Sequence, residues 1–209
     1  MNSTLAFLKA IRHEFRHTGA CLPSSRFVAA AMTEDLNSNR PGWNILEVGT
    51  GTGAISKAII LNMREDDTLT LCDINPEMIA GLKTMLEKLP EYNRHKERIH
   101  IICGPVQDLP DSQKFDLIIS SVPFLNFDAA LTKSILEKYH QLSKPDTKLK
   151  YFQYVALKNI CQLCPGKRGQ RVKALSDYLE NQKLFQQSDS KIVWLNLPPA
   201  RINCCAQYQ

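Results

Sequence analysis

Short apolar runs alternate with amphipathic stretches through most of this chain. Apolar runs over 45–48, 68–73, 98–103, 115–120 and 150–156 have the length and content of buried strands. Helical patterns follow over 54–61, from Pro76 to about residue 88, and from about 128 to 142. This alternation predicts an α/β fold with a mostly parallel sheet.

Two helical stretches precede the first core strand. Residues 3–17 predict a helix with Leu5, Leu8, Ile11 and Phe15 on one face and basic residues around the rest. It either packs across the edge of the domain or lies in an anionic membrane surface. Ser24 or Ser25 then caps a helix over 26–32. We therefore predict an N-terminal extension over 1–42 and the main domain over 43–209.

The C-terminal part predicts a different arrangement. Residues 92–97 are polar and predict a connection, and residues 166–171 predict a basic loop before a helix that ends near 182. Two apolar runs, 191–195 and 201–205, flank Asn196-Leu197-Pro198-Pro199. They predict an antiparallel strand pair with a turn between them.

Size and charge leave several functions open. The 209 residues fit one α/β domain with a substantial core. A net charge of +5 fits anionic lipid, RNA or no particular partner. The chain shows no long apolar run and no signal-peptide pattern, so we expect a cytoplasmic protein that can still attach to a membrane surface.

The seven cysteines indicate buried free thiols, since Cys72 and Cys103 lie in apolar strand patterns. A zinc site formed by the Cys161-x-x-Cys164 and Cys204-Cys205 pairs is disfavoured because the second pair lacks a spacer. We predict no metal.

The most informative stretch is residues 44–53, Asn-Ile-Leu-Glu-Val-Gly-Thr-Gly-Thr-Gly. Glycines at 49, 51 and 53 allow a sharp turn and a close approach of backbone to ligand. Asp73, 24 residues after Gly49, stands at the end of the next strand, where a carboxylate can accept bonds from ribose hydroxyls. The alternative is a tight strand-to-helix turn without a ligand.

The G-x-G-x-G spacing, with Glu47 before it, resembles class I S-adenosylmethionine (AdoMet) methyltransferases. The resemblance implies a Rossmann-like, seven-stranded, mostly parallel sheet with an antiparallel C-terminal strand pair. It implies AdoMet as methyl donor, with Glu47 at its methionine end and Asp73 at its ribose. The full set of expected cofactor contacts is Glu47, Gly49, Thr50, Gly51, Gly53, Asp73, Ile74, Val106, Gln107 and Ser120.

Other segments resemble one branch, the bacterial phospholipid N-methyltransferases related to the ribosomal RNA adenine dimethylases. They are the basic N-terminal stretch with Leu22-Pro23-Ser24-Ser25, residues 121–127, residues 151–154 and residues 194–201. This resemblance implies stepwise methylation of phosphatidylethanolamine to phosphatidylcholine. It also implies an N-terminal helix that docks on an anionic membrane, and a peripheral location at its inner face.

Two departures from the family pattern bear on the acceptor and the cofactor. Ser121 stands where the adenine dimethylases carry Asn, which weakens the RNA hypothesis and suits an aliphatic amine. Gly104-Pro105-Val106 replaces Gly-Asp-Ala, so Gln107 or Asp108 would have to contact adenine. An RNA or small-molecule methyltransferase and a non-catalytic AdoMet-binding module remain the alternatives.

Residues 121–127 follow the fourth strand, at the edge where ligands of open α/β sheets bind. They contain no acid or base, so we expect catalysis by positioning, with Ser121 accepting amine hydrogens and Phe124 stabilising the cation. Tyr154 or Tyr178 would assist Phe124, unless these aromatic residues only fill the core. The expected lipid-binding residues, each of which also fits a plain surface role, are Ser24, Arg26, Tyr154, Arg201, Lys167 and Arg168.

Overall fold

A computed structural model describes residues 24–155 and 167–207 of the chain. The predicted helix over 3–17 and the Cys161–Cys164 pair lie outside these ranges. The strands are β1 Asn44–Val48, β2 Thr68–Asp73, β3 Ile99–Cys103, β4 Phe115–Ser120, β5 Ser143–Tyr154, β6 Phe185–Val193 and β7 Ala200–Gln207. The described α-helices are α1 Arg26–Thr33, α2 Ala54–Leu61, α3 Pro76–Leu86, α4 Pro90–His95, α5 Ala129–Gln141 and α6 Lys167–Asn181.

The seven strands form one sheet in the order β3-β2-β1-β4-β5-β7-β6. The first five strands pair in parallel, while β7 pairs antiparallel with both β5 and β6. The order reverses between β1 and β4, which places a crevice at the carboxyl ends of these two strands. The predicted fold, including its antiparallel C-terminal pair, is confirmed.

Each face of the sheet is covered by its own apolar core. Side chains of α1, α2 and α3 pack on one face against residues such as Ile45, Leu71 and Ile119. Side chains of α5 and α6 pack on the other face against Leu46, Ile118 and others. The neighbouring residues Ile118 and Ile119 face opposite sides because side chains alternate along a strand.

Helix α1 begins at the predicted serine cap and joins the main core. The Ser25 hydroxyl accepts a hydrogen bond from Val28 N at 3.3 Å, which satisfies one of the free N–H groups of the first turn. Val28 and Met32 are fully buried in the core shared with α2 and the sheet. The division of the chain at residue 42 stays a prediction.

Ionic contacts fix the segment after α1 to the sheet. Lys150, on β5, is almost fully buried and bonds to Glu34 at 3.3 Å and to Asp35. Asp35 also accepts a hydrogen bond from Lys148 at 2.8 Å. Burial raises the pKa of the Asp35 carboxyl, but the two lysines lower it by more, so it stays ionised.

A buried ion pair anchors the loop before β1. The Nη1 and Nη2 atoms of Arg40 donate to the fully buried Asp67 carboxylate, at 2.6 and 2.7 Å. The same carboxylate accepts the backbone N–H groups of Trp43 and Arg64 at 2.8 Å. All of its acceptor sites are therefore used, which is the condition under which a buried charge is tolerated.

Five details of the sequence prediction were wrong. The strand predicted at 191–195 is β6, which spans Phe185–Val193, because its exposed polar residues gave no apolar pattern and residues 194 and 195 belong to the turn. Residues 92–97, predicted as a connection, contain the end of α4, because Tyr92 and His95 are buried and hold that turn in place. Strand β5 starts at Ser143 rather than near residue 150, since it extends beyond the core. Most of the predicted basic loop at 166–171 is the start of α6. Cys103 is exposed because β3 is an edge strand, whereas Cys72 is buried as predicted.

Over residues 24–155 and 167–207, none of the helices combines the length and the apolar character needed to cross a bilayer.

We expect Asp67→Asn to lower the free energy of unfolding by about 3 kcal/mol, because Arg40 would keep its buried charge without a partner. Urea denaturation at pH 7 measures this change. Glu65→Gln is the matched control, since it removes an exposed ion pair with Arg98 and should cost less than about 1 kcal/mol. Equal losses in the two variants would contradict the assigned role of the Arg40–Asp67 pair.

Candidate cofactor and acceptor site

The loop between β1 and α2 forms a backbone cradle. Gly49, Gly51 and Gly53 have φ angles of 79°, 51° and 83°, a region that side chains other than glycine rarely adopt. A Cβ at Gly53 would stand 2.8 Å from the Leu82 side chain, so helix α3 closes one side of the cradle. A Cβ at Gly51 would meet nothing within 4 Å, so the cradle is open to a ligand at this point.

Glu47 is a carboxylate fully buried beneath the cradle. Neither of its oxygens has a hydrogen-bond partner of ordinary geometry, and the same holds for the buried hydroxyl of Ser56 on α2. Burial raises the pKa of Glu47 to about 8, the nearby Asp73 adds to the rise, and the Ser56 side chain opposes it. A buried acid without a partner is the group that a cationic ligand would satisfy.

Asp73 ends β2 and faces the cradle. Its Oδ2 accepts hydrogen bonds from Gly51 N at 3.0 Å and from the Thr50 hydroxyl at 3.4 Å. Its Oδ1 accepts from Asn75 N at 2.9 Å. These bonds fix the carboxylate beside the glycine loop, in the position that a ribose contact requires.

Ser120 ends β4 and Ser121 follows it, and their side chains have different environments. The Ser120 hydroxyl is fully buried and shares a 2.9 Å hydrogen bond with the Tyr139 hydroxyl on α5. Ser121 N donates to Val48 O at 2.9 Å, which holds the residue against the end of β1. The Ser121 hydroxyl is buried without a partner, so it is the free hydroxyl of the two.

Two aromatic rings lie beyond Ser121. Phe124 is almost fully buried and meets Tyr151 edge-to-face, with ring centroids 5.6 Å apart. Both rings belong to the core on the α5 and α6 side of the sheet, as does Tyr178. Tyr154 packs with Phe152 on the opposite face. The aromatic neighbour of Phe124 on β5 is therefore Tyr151 and not the predicted Tyr154.

The loop after β3 carries two polar side chains: Gln107, which has a hydrogen-bond partner, and Asp108, which is exposed. Val106 is buried in the core, and the Gln107 amide donates to the Ser134 hydroxyl on α5 at 3.3 Å. Asp108 is exposed and Ile74, after β2, is half-buried. Asp108 is thus the polar side chain of this loop that is open to solvent, and Gln107 already has a partner.

The expected lipid-binding residues lie around one turn. Ser25 N donates to the Asn196 side chain at 3.3 Å, so the start of α1, with Ser24 and Arg26, lies beside the turn between β6 and β7. Arg201, the second residue of β7, lies next to that turn and is exposed, opposite Gln153 on β5. The side chains of Lys167 and Arg168 lie outside the described part of the structure.

Several residues of the site were not predicted from the sequence. Ser56 lies under Glu47, Tyr139 binds Ser120, and Tyr151 packs on Phe124. Helical spacing places Ser56 on the buried side of α2, so the sequence pattern was sufficient to predict its burial. The Tyr139 and Tyr151 contacts join distant segments and leave no local pattern.

Taken together, the cradle, Glu47 and Asp73 fit the cofactor that the resemblance implies. The buried Glu47 oxygens suit an ammonium group, Asp73 suits ribose hydroxyls, and the space at Gly51 admits a ligand close to the backbone. Within the described ranges, no group of three or more His, Cys, Asp or Glu residues is arranged to hold a metal ion.

Comparison with protein families matches residues 45–146 to the model of a methyltransferase domain. A curated relative, malonyl-[acyl-carrier protein] O-methyltransferase 1 of Ilyobacter polytropus, is 32% identical over 89 residues, which cover 43% of this chain and 30% of that protein. The chain matches a third or less of the length of the curated relatives it resembles. The residues matched to the family model contain the glycine loop and Asp73.

Solved structures share the fold at low sequence identity. A putative O-methyltransferase from Klebsiella pneumoniae superposes with a TM-score of 0.66 at 13% identity, covering 100% of this chain and 91% of that one. The N-methyltransferase NodS from Bradyrhizobium japonicum superposes with a TM-score of 0.59 at 14% identity, covering 90% and 100%. The fold is therefore common to enzymes that methylate oxygen and enzymes that methylate nitrogen.

We expect Gly51→Ala to weaken AdoMet binding at least tenfold while costing only about 1 kcal/mol of stability. The new methyl group would stand in the open space of the cradle and strain the left-handed backbone. Calorimetric titration measures the affinity. Gly81→Ala, in the exposed middle of α3 with no neighbour within 4 Å, is the control and should leave affinity unchanged. Unchanged binding in Gly51→Ala would place the cofactor elsewhere.

We expect Glu47→Gln to flatten the pH dependence of stability between about pH 5 and 8. The folded protein holds the Glu47 proton more tightly than the unfolded chain, so wild-type stability falls as pH rises through this window. The variant should be more stable at pH 8, by an amount on the order of 3 kcal/mol. Urea unfolding at several pH values measures this. Glu77→Gln, exposed on α3, should follow the wild type, and a flat wild-type curve would refute the role of burial.

Proposed function

We propose that this chain is an AdoMet-dependent N-methyltransferase that methylates phosphatidylethanolamine stepwise toward phosphatidylcholine. The match of residues 45–146 to the model of a methyltransferase domain and the seven-stranded sheet support the proposal. The observation that carries the proposal is the Ser121 hydroxyl, which is buried without a hydrogen-bond partner at the end of β4. It stands beside Gly49, since a Cβ on that glycine would lie 3.4 Å from the Ser121 backbone.

An aliphatic amine is a suitable partner for this hydroxyl. A neutral amine has N–H hydrogens to donate and keeps its lone pair for the methyl group. Ser121 can accept one hydrogen and so fix the direction of the lone pair. Residues 120–127 contain no carboxylate, histidine or lysine, which supports a reaction that depends on alignment rather than on a side-chain base.

The bond changes follow from this alignment. AdoMet supplies a methyl group already activated on a sulfonium. The nitrogen lone pair forms the new C–N bond as the C–S bond breaks, and the positive charge moves from sulfur to nitrogen. The methylated ammonium then loses a proton to water before it can react again. Two further transfers of this kind give the quaternary headgroup.

The Phe124–Tyr151 pair would stabilise the positive charge that develops on the acceptor nitrogen. A ring face attracts a cation, most strongly where water is excluded, and both rings lie in the core beside the Ser121 loop. Burial raises the pKa of the Tyr151 phenol, so this ring stays neutral at every pH of interest. The lipid phosphate would bind the exposed Arg26 or Arg201, with Ser24 and Tyr154 nearby.

A second function is favoured by the curated relative named above, which methylates an oxygen of a malonyl group on acyl-carrier protein. The similarity to that protein covers 43% of this chain, and the family model ends at residue 146, so β6 and β7 lie outside the family match. An O-methyltransferase would need an acceptor carboxylate at the Ser121 loop, where the hydroxyl could donate to it.

The deciding experiment offers labelled AdoMet to the whole chain with three acceptors in parallel. They are anionic liposomes that contain phosphatidylethanolamine, malonyl-[acyl-carrier protein] and total RNA. We expect label in mono-, di- and trimethylated lipid. Label in the carrier protein would establish the second function, and label in RNA would overturn both. AdoMet binding without transfer to any acceptor would favour a non-catalytic role.

We expect Ser121→Ala to lower turnover on phosphatidylethanolamine by about tenfold and to leave AdoMet affinity within about twofold of the wild type. Ser121→Thr keeps the hydroxyl and should recover part of the rate. Ser112→Ala, at an exposed serine in the turn before β4, is the control. An unchanged rate in Ser121→Ala would remove this residue from the reaction.

A further inference from the structure

The turn between β6 and β7, residues 194–199, presents large apolar side chains to solvent. Trp194, Leu195 and Leu197 are 69%, 70% and 83% exposed. Other large apolar side chains of the described residues that reach the surface, such as Leu61 at 48%, are less exposed. We refer to residues 194–199 as the apolar turn. Exposed apolar patches of this kind mark surfaces that bind a partner or a membrane.

The apolar turn is held firmly in this position. Asn196 is buried, and its amide donates to Pro198 O at 2.7 Å while its oxygen accepts Ser25 N from the start of α1. Pro199 O accepts a hydrogen bond from Val155 N at 2.9 Å. The polar groups of the turn therefore bond inward and the apolar side chains point outward, which is the reverse of an ordinary surface turn.

The surroundings of the apolar turn carry positive charge. Neither residues 24–33 nor residues 191–203 contain an aspartate or a glutamate. Arg26 and Arg201 flank the turn, both are exposed, and neither forms an ion pair within 24–155 and 167–207. Arg26 lies over the Phe27 ring, with 4.8 Å between the guanidinium carbon and the ring centroid. Free arginines beside exposed Trp and Leu complement a surface with an apolar interior and anionic headgroups.

The turn also lies on the side of the sheet where the acceptor would arrive. Strand β7 begins where β5 ends, since Ala200 pairs with Tyr154. Because β4 and β5 are parallel, the end of β5 and the Ser121 loop lie along the same edge of the sheet. A surface that contacts the apolar turn therefore faces the site edge of the molecule.

We propose that the apolar turn enters the interfacial layer of an anionic phospholipid bilayer, with Trp194, Leu195 and Leu197 among the upper acyl chains and Arg26 and Arg201 on lipid phosphates. Tryptophan favours this layer because its ring is apolar and its N–H can bond to headgroups. The inference rests on the proposed function in one respect: a bilayer acceptor explains why the docking surface lies at the site edge.

The first test uses tryptophan fluorescence of the full chain. Trp43 and Trp194 are the two tryptophans, so Trp43→Phe leaves Trp194 as the reporter. With vesicles of phosphatidylethanolamine and phosphatidylglycerol, Trp194 emission should shift to the blue and be quenched by brominated acyl chains. Vesicles of neutral phosphatidylcholine should give a weaker response. Unshifted emission with the anionic vesicles would overturn the proposal.

The second test is vesicle flotation with matched variants. Trp194→Ala, Leu195→Ser and Leu197→Ser combined should lower partitioning at least about tenfold. Leu61→Ser with Met78→Ser removes exposed apolar side chains from α2 and α3 and should bind as the wild type does. Equal binding of the two combined variants would overturn the proposal. Blue-shifted Trp194 emission in the absence of vesicles would also overturn the proposal, because it would indicate that a second copy or residues 1–23 cover the turn.

Activity on two forms of the lipid separates this proposal from the proposed function. On monomeric short-chain phosphatidylethanolamine the apolar-turn variant should keep the wild-type rate, and on vesicles it should lose most of it. Insertion of Trp194 by a wild type that methylates neither form would support the docking surface and refute the lipid acceptor. Methylation of vesicles without insertion of Trp194 would refute the docking surface alone.

Discussion

The site depends on hydrogen bonds that continue the sheet beyond the end of β1. Gly49 N donates to Cys72 O at 2.8 Å, and Ser121 N donates to Val48 O at 2.9 Å. These two bonds join the first residue of the glycine loop to β2 and the segment after β4 to β1. Parallel strands thus bring Glu47, Asp73 and Ser121 to one edge, although they are far apart in sequence. The left-handed backbone of the glycine loop can form a site only because the sheet holds β2 and the segment after β4 on either side of the loop.

The elements that the sequence predicted well are those fixed by a local pattern. Strands β1, β2 and β4 are buried on both faces, so each appears as a short, mostly apolar run with sharp ends. The start of β5 could not be found in this way, because it contains charged residues and no apolar run. Lys144 and Lys148 form ion pairs with Asp116 and Asp35, and Asp146 is exposed. Helix α6 was shortened in the prediction because Gly169 indicated a loop, whereas this glycine is buried within the helix.

The part of the candidate site that could be predicted consists of residues recognised by their spacing along the sequence. Gly49, Gly51, Gly53 and Asp73 could be read from spacing, and the left-handed backbone agrees with that reading. The hydrogen bond that occupies the Ser120 hydroxyl could not be predicted in this way, because it depends on Tyr139, a residue of another layer. The pairing of Phe124 with Tyr151 also depends on how two distant segments meet across the sheet.

The buried acid under the cradle has a consequence for the energetics of ligand capture. With a pKa of about 8, Glu47 is mostly neutral at physiological pH, so the resting cavity carries one negative charge less than the sequence indicates. A ligand ammonium beside this carboxyl favours its ionised form, and the released proton passes to the solvent. Affinity and acidity would then be thermodynamically linked, and a cationic ligand held by Glu47 would bind more weakly whenever the surroundings become more acidic.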